Sequence, residues 1–129
     1  WNSVGQFYDT ANAPIGSIFT IAATASNRTR TDVDMLPDGS FVAIWDQDLF
    51  GTVGLEVFAR RFDSSGVPLG AAVLVNETSV GSQGSPTVAL SPDGSFVAVW
   101  NESTTGVNKQ MVRRFSSADL PLGPEAQSR

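Results

Sequence analysis

Cysteine and histidine are absent from the 129-residue chain, and lysine occurs once, at Lys109. Without thiols or imidazoles there is no disulfide framework, no cysteine nucleophile, no histidine base and almost none of the usual zinc-ligand sets, which removes most enzyme mechanisms. Acidic residues outnumber basic ones by 13 to 8, a net charge of -5, so a nucleic-acid backbone would be repelled rather than neutralised. No apolar run is long enough to span a bilayer, and no basic-then-apolar leader pattern follows Trp1, so the sequence reads as a mature or excised segment. What is present, 41% hydrophobic and 16% charged residues with 12 Gly and 7 Pro, fits one domain rich in turns.

Internal repetition is the strongest signal. Pro37-Asp38-Gly39-Ser40-Phe41-Val42-Ala43-Ile44-Trp45 returns 55 positions later as Pro92-Asp93-Gly94-Ser95-Phe96-Val97-Ala98-Val99-Trp100. Arg60-Arg61-Phe62, with Pro68-Leu69-Gly70 behind it, returns 53 later as Arg113-Arg114-Phe115 and Pro121-Leu122-Gly123, and faintly 54 earlier as Tyr8-Asp9 and Pro14-Ile15-Gly16. The unit is about 54 residues long. Pro-Asp-Gly between two apolar runs predicts a tight hairpin, and the run from Phe96 to Trp100, apolar at every position, predicts a strand covered on both faces. A third strand ends in the doubled arginine and a fourth follows the Pro-Leu-Gly turn. Each unit therefore reads as a four-stranded antiparallel meander, A to D, in an all-β chain.

A meander whose second strand is covered on both faces has to pack between copies of itself, and radial repetition achieves this while protecting strand edges, which points to β-propeller-type blades. The longer pattern, from the Pro-Asp-Gly hairpin through the doubled arginine to Pro-Leu-Gly, resembles repeats of large secreted bacterial surface proteins of adhesin-like or calcium-binding description, over roughly residues 31 to 123. The resemblance implies an extracellular or cell-surface location, the periplasm included. With most catalytic chemistry missing, the chain reads as a non-catalytic binding or assembly module that presents loops to a protein or glycan partner. The loop after the tryptophan departs from the Asp- and Gly-rich form of those repeats, being Asp46-Gln47-Asp48-Leu49-Phe50-Gly51 in one copy and Asn101-Glu102-Ser103-Thr104-Thr105-Gly106 in the other, so no cofactor is expected there.

The organisation expected is an N-terminal part, residues 1–30, whose strand near 17–23 completes a blade; a full unit over 31–76; and a second unit over 86–123 lacking its last strand. A further candidate strand runs from Val4 to Tyr8. That phase predicts self-association into a ring, three copies giving six blades, with the strand around Ile18 to Ile21 pairing with Met111 to Phe115 of a neighbour; in a longer chain the same edges would pair with adjacent repeats.

Candidate site residues follow from the repeat. Trp45 and Trp100 close the B strands, either as wedges between blades or as stacking platforms for sugars, in the manner of short two-blade lectins. Trp1 lies outside the repeat and reads as terminal packing. Arg61 and Arg114 suit carboxylates, including those of acidic sugars, or pair across blades, as do Arg60 and Arg113. Asp32 and Asp34 alternate along an otherwise apolar strand; they take a hard cation such as calcium, pair with a neighbouring arginine, or lie at a solvated edge. A glycosidase would draw its carboxylate pair from Asp32, Asp34, Asp46, Asp48 and Glu102. Asp38, Asp63 and Asp93 are turn residues bonding to nearby amides. Asn27, Asn76 and Asn101 each begin a glycosylation sequon.

Overall fold

The computed structural model describes residues 2–23, 29–49 and 54–128. They form an all-β, wholly antiparallel structure of three stacked layers. The first is a hairpin of β1 (Asn2–Tyr8) and β2 (Pro14–Ala23). The second is a four-stranded meander of β3 (Thr31–Met35), β4 (Phe41–Asp48), β5 (Leu55–Phe62) and β6 (Val73–Leu74). The third repeats it with β7 (Ser82–Leu90), β8 (Phe96–Thr104), β9 (Val107–Phe115) and β10 (Ala126–Gln127). Among the described residues the layers do not close on themselves.

The turns explain the repetition. In both A–B hairpins glycine takes a left-handed conformation, Gly39 at φ 87° and Gly94 at φ 83°, where any side chain would be strained. Asp38 and Asp93 lock those turns by accepting from the backbone N–H and the hydroxyl of Ser40 and Ser95. The C–D turn occurs three times. Asp9, Asp63 and Ser116 each accept two amides of their own turn through a side-chain oxygen, and the left-handed position is filled by Asn12, Gly66 and Asp119. Each turn closes with the same pairing of an aromatic and a proline, Tyr8 with Pro14, Phe62 with Pro68 and Phe115 with Pro121.

These equivalences keep the expected strand phase but revise the strand count and pairing. The hairpin β1–β2 is the C–D half of a unit, so the segment around Ile18 to Ile21 is paired within its own chain, to Asn2–Gly5, rather than free to join a neighbour's Met111 to Phe115. That last stretch is itself flanked on both sides, by β8 and by β10. The second meander also has the fourth strand that the sequence reading left out: Ala126 and Gln127 pair with Val112 and Met111.

Strand β4 is buried along its whole apolar run, Phe41 to Trp45, because both its faces are covered. Phe41, Ala43 and Trp45 turn to the hairpin, where they meet Phe7, Phe19 and Ile21. Val42 and Ile44 turn the other way, into a core with Val57, Ala59, Phe96, Trp100 and Phe115. Full burial of side chains of this size stabilises by about 1.5–3 kcal/mol each, so this central strand anchors the stack. The expectation of two covered faces holds for β4 but not for β8, where Phe96, Ala98 and Trp100 are buried and Val97 and Val99 only half-buried.

Candidate functional site

At one end of the second and third layers lies a cleft of about 640 Å3 between the two meanders. Asp46 organises it. It follows Trp45 at the end of the apolar run of β4, is 1% exposed, and uses both carboxylate oxygens on backbone amides from different layers. Oδ1 accepts from Arg30 N at 2.8 Å and Oδ2 from Ser85 N at 2.9 Å. Arg30 O in turn accepts from Asp46 N at 3.2 Å, which continues the β3–β4 pairing beyond Thr31.

Ser85 reaches this position through a break in β7. The register with β8 shifts between Gly84 and Thr87, and Ser85 adopts φ 53°, a left-handed conformation costly for a residue with a side chain. The bulge turns its N–H toward Asp46 and brings its Oγ to Nη1 of Arg30. Thr29, Ser82 and Ser103 add hydroxyls to the lining, Asn101 an amide and Leu55 an apolar floor. Ser82 Oγ accepts from Leu55 N at 3.1 Å, a second tie between the layers. Among the described lining residues Asp46 is the sole carboxylate.

Trp45 is 4% and Trp100 1% exposed; each ring packs toward the preceding layer, in the wedge position. Their indole N–H groups donate to Gln47 Oε1 at 2.8 Å and Gln83 Oε1 at 3.0 Å, and Trp45 stacks on Phe58. Neither presents a ring face to solvent, which corrects the stacking-platform reading: the repeat places them where a layer needs filling. Arg61 pairs across layers, Nε and Nη2 donating to Asp119 Oδ1 at 3.1 and 2.9 Å and Nη2 also to Gly94 O at 2.8 Å. Arg114 is exposed and makes no hydrogen bond or ion pair through its guanidinium among the described residues. Arg113 binds Val75 O and Glu77 of the preceding sheet, whereas Arg60 stays within its own turn, on Gly70 O.

Asp32 and Asp34 reach over to the edge of the next sheet, where their Oδ2 atoms accept from the backbone N–H of Val88 at 3.0 Å and Leu90 at 2.7 Å. None of the three roles expected for them describes this latch on an edge strand. Among the described residues no three acidic side chains gather as a metal-binding group. Glu102 pairs with Lys109 at 3.5 Å, and Asp48 is exposed. Asn76 is buried and fully engaged: its Oδ1 accepts from Val57 N, and its Nδ2 donates to Glu56 and Thr78 O. Asn101 is exposed, while Trp1, Asn27, Phe50 and Gly51 lie outside the described residues.

The Ser40 hydroxyl and amide hold the Asp38 carboxyl below its ordinary value of 3.8, and those of Ser95 do the same for Asp93, with a minor contribution from the Arg114 charge. Sequence reasoning singled out neither Arg30 nor Ser85. The available signal was that the two occupy equivalent places, 55 residues apart, Arg30 just before β3 and Ser85 within β7, where Pro86 interrupts the run. Compared with protein families, with curated proteins and with solved structures, the chain has no match.

Proposed function

We propose that this chain is a non-catalytic binding module of an extracellular repeat protein of the bacterial-surface kind, that its meanders are propeller-type blades, and that it takes a glycan in the cleft between two of them. One observation carries the reading: a cleft of about 640 Å3 between successive repeats, within the range of ligand sites, whose lining offers hydroxyls, an amide, a guanidinium and backbone beside the Asp46 carboxylate and the apolar Leu55. Polyhydroxylated ligands are recognised by such mixed donors and acceptors, and the Arg30 guanidinium favours sugars bearing a carboxylate.

The chemistry of the lining supports binding rather than turnover. Hydrolysis of a glycosidic bond by the usual route needs two carboxyl groups on opposite sides of it. Asp46 is the sole carboxylate among the described lining residues, and both its oxygens are committed to backbone amides. Screening against an array of neutral and acidic glycans, followed by calorimetric titration, tests the proposal. A retained glycan whose affinity falls at least tenfold in Arg30→Ala or Ser103→Ala, without release of reducing ends, is the expected result. Turnover of the glycan, or undiminished binding in both variants, would overturn it.

A further inference from the structure

The two outer faces of the stack show, uncovered, what its interior buries. Val42, Ile44 and Ala59, on the face of the first meander turned to the second, are 1%, 0% and 1% exposed. Their equivalents on the second meander, Val97, Val99 and Val112, face away from the first and are only half-buried. Arg61 crosses from the covered face to Asp119 and Gly94 O of the next layer; its equivalent, Arg114, stands exposed beside Val112 with no such acceptor.

The opposite end shows the complementary half. Phe62 and Phe115, which look back toward the preceding layer from β5 and β9, are 0% and 1% exposed. The residue at that place in β1 is Tyr8, which is 61% exposed, with Val4 beside it at 56%. Asn12 occupies in the first C–D turn the position that Asp119 holds in the third, so an amide oxygen is available where Arg61 finds a carboxylate.

We infer that these ends are the two halves of one interface, and that the chain associates head to tail with a second copy of itself, the outer face of β1–β2 in one copy seated on the open face of β7–β10 in the other. The contact continues the interface already formed between the two meanders, with Arg114 reaching forward as Arg61 does. A face-to-face dimer through β7–β10 would instead set two copies of Arg114 against each other. A head-to-tail contact is heterologous, so it closes into a ring or extends. This is packing of faces and does not need the strand exchange that the sequence reading expected.

Sedimentation equilibrium over a wide concentration range tests the inference with two surface variants, Val99→Asp at one end and Tyr8→Asp at the other. Arg114→Glu serves as a second variant of the first end, and circular dichroism checks that each folds. The wild-type chain is expected to exceed the 13.6 kDa of one copy, with mass rising with concentration or settling at a ring. Each single variant should stay monomeric alone, because its intact end finds no intact counterpart. Mixed in equal amounts, Val99→Asp and Tyr8→Asp should form a one-to-one complex through the remaining good pair of ends. A wild-type monomer throughout, self-association of Tyr8→Asp alone, or failure of the folded variants to complement would each overturn it. None of these readings involves a sugar, so they stand or fall apart from the cleft.

Discussion

Replacing Asp46 with alanine removes one side chain but unties two layers. Its carboxylate accepts from Arg30 N on the first meander's side and from Ser85 N on the second, at 2.8 and 2.9 Å, and the residue is 1% exposed. Each is a hydrogen bond to a charged acceptor, worth about 1.5–3 kcal/mol when the partner stays dry. The adjoining cleft admits water to part of the vacated space, which returns some of that loss. The expected destabilisation is therefore about 2–4 kcal/mol, near the upper end of ordinary single substitutions. Asp46→Asn keeps one acceptor but turns an NH2 toward a backbone donor, so it should fall by about 1–3 kcal/mol rather than recover wild-type stability. Urea denaturation measures this as a lower midpoint at unchanged slope. An Asp46→Ala unfolding free energy within about 0.5 kcal/mol of wild type would refute the claim that this carboxylate holds the layers together.

Three further outcomes follow from the same contacts. In dilute solution Arg61→Ala should lose about 1–3 kcal/mol in urea denaturation, since it abandons Asp119 and Gly94 O, whereas Arg114→Ala should change stability by less than about 0.5 kcal/mol. Asn76→Ala should cost about 2–3 kcal/mol by the same measurement, because Val57 N and Glu56 lose a buried partner. The carboxyls of Asp38 and Asp93 are held below their unfolded value, so their stabilisation is complete above about pH 4 and is lost as pH falls through the lowered folded values. Ser40→Ala with Ser95→Ala should flatten the drop in urea midpoint between about pH 4 and about pH 2, and an undiminished drop would contradict that assignment.

The features legible in the sequence were those written twice with strong local chemistry. Pro-Asp-Gly set between Leu36 and Phe41, and again between Leu90 and Phe96, identifies the A–B hairpins because glycine and aspartate at those places have few other conformational uses. Cover on both faces was read from the apolar run of β8, Phe96 to Trp100, and extended to its repeat; it holds for β4 and not for β8, because what covers a face depends on a neighbouring layer that the run itself does not encode. The phase of the strands was legible but their count was not, because β10 is two residues, Ala126 and Gln127, too short for any alternation, and because the candidate strand from Val4 to Tyr8 carries no signal that it pairs with the strand near 17–23.

The site was less legible than the fold, for a physical reason. Asp32, Asp34 and Asp46 all bond to backbone amides of another sheet, and a backbone donor has no letter in the sequence. Their carboxylates therefore read as cation ligands, arginine partners, solvated edge groups or one of a catalytic pair, and none of those readings includes the bonds to backbone amides that they make. Trp45 and Trp100 read as wedges or as platforms for the converse reason, that a residue type suited to sugars is equally suited to filling a layer, and they are buried in the wedge position. The cleft depends on the left-handed bulge at Ser85, where a common residue takes a rare conformation.

Whether a glycan is held between successive repeats is decided by mapping backbone amide shifts in nuclear magnetic resonance spectra as the best array ligand is titrated in. Binding in the cleft predicts that perturbations concentrate at Thr29, Arg30, Ser82, Ser85, Asn101 and Ser103, leaving the amides around Pro14 to Gly16 and Leu122 unmoved. Perturbations confined to those distant turns, or no saturable shift with any glycan, would contradict it.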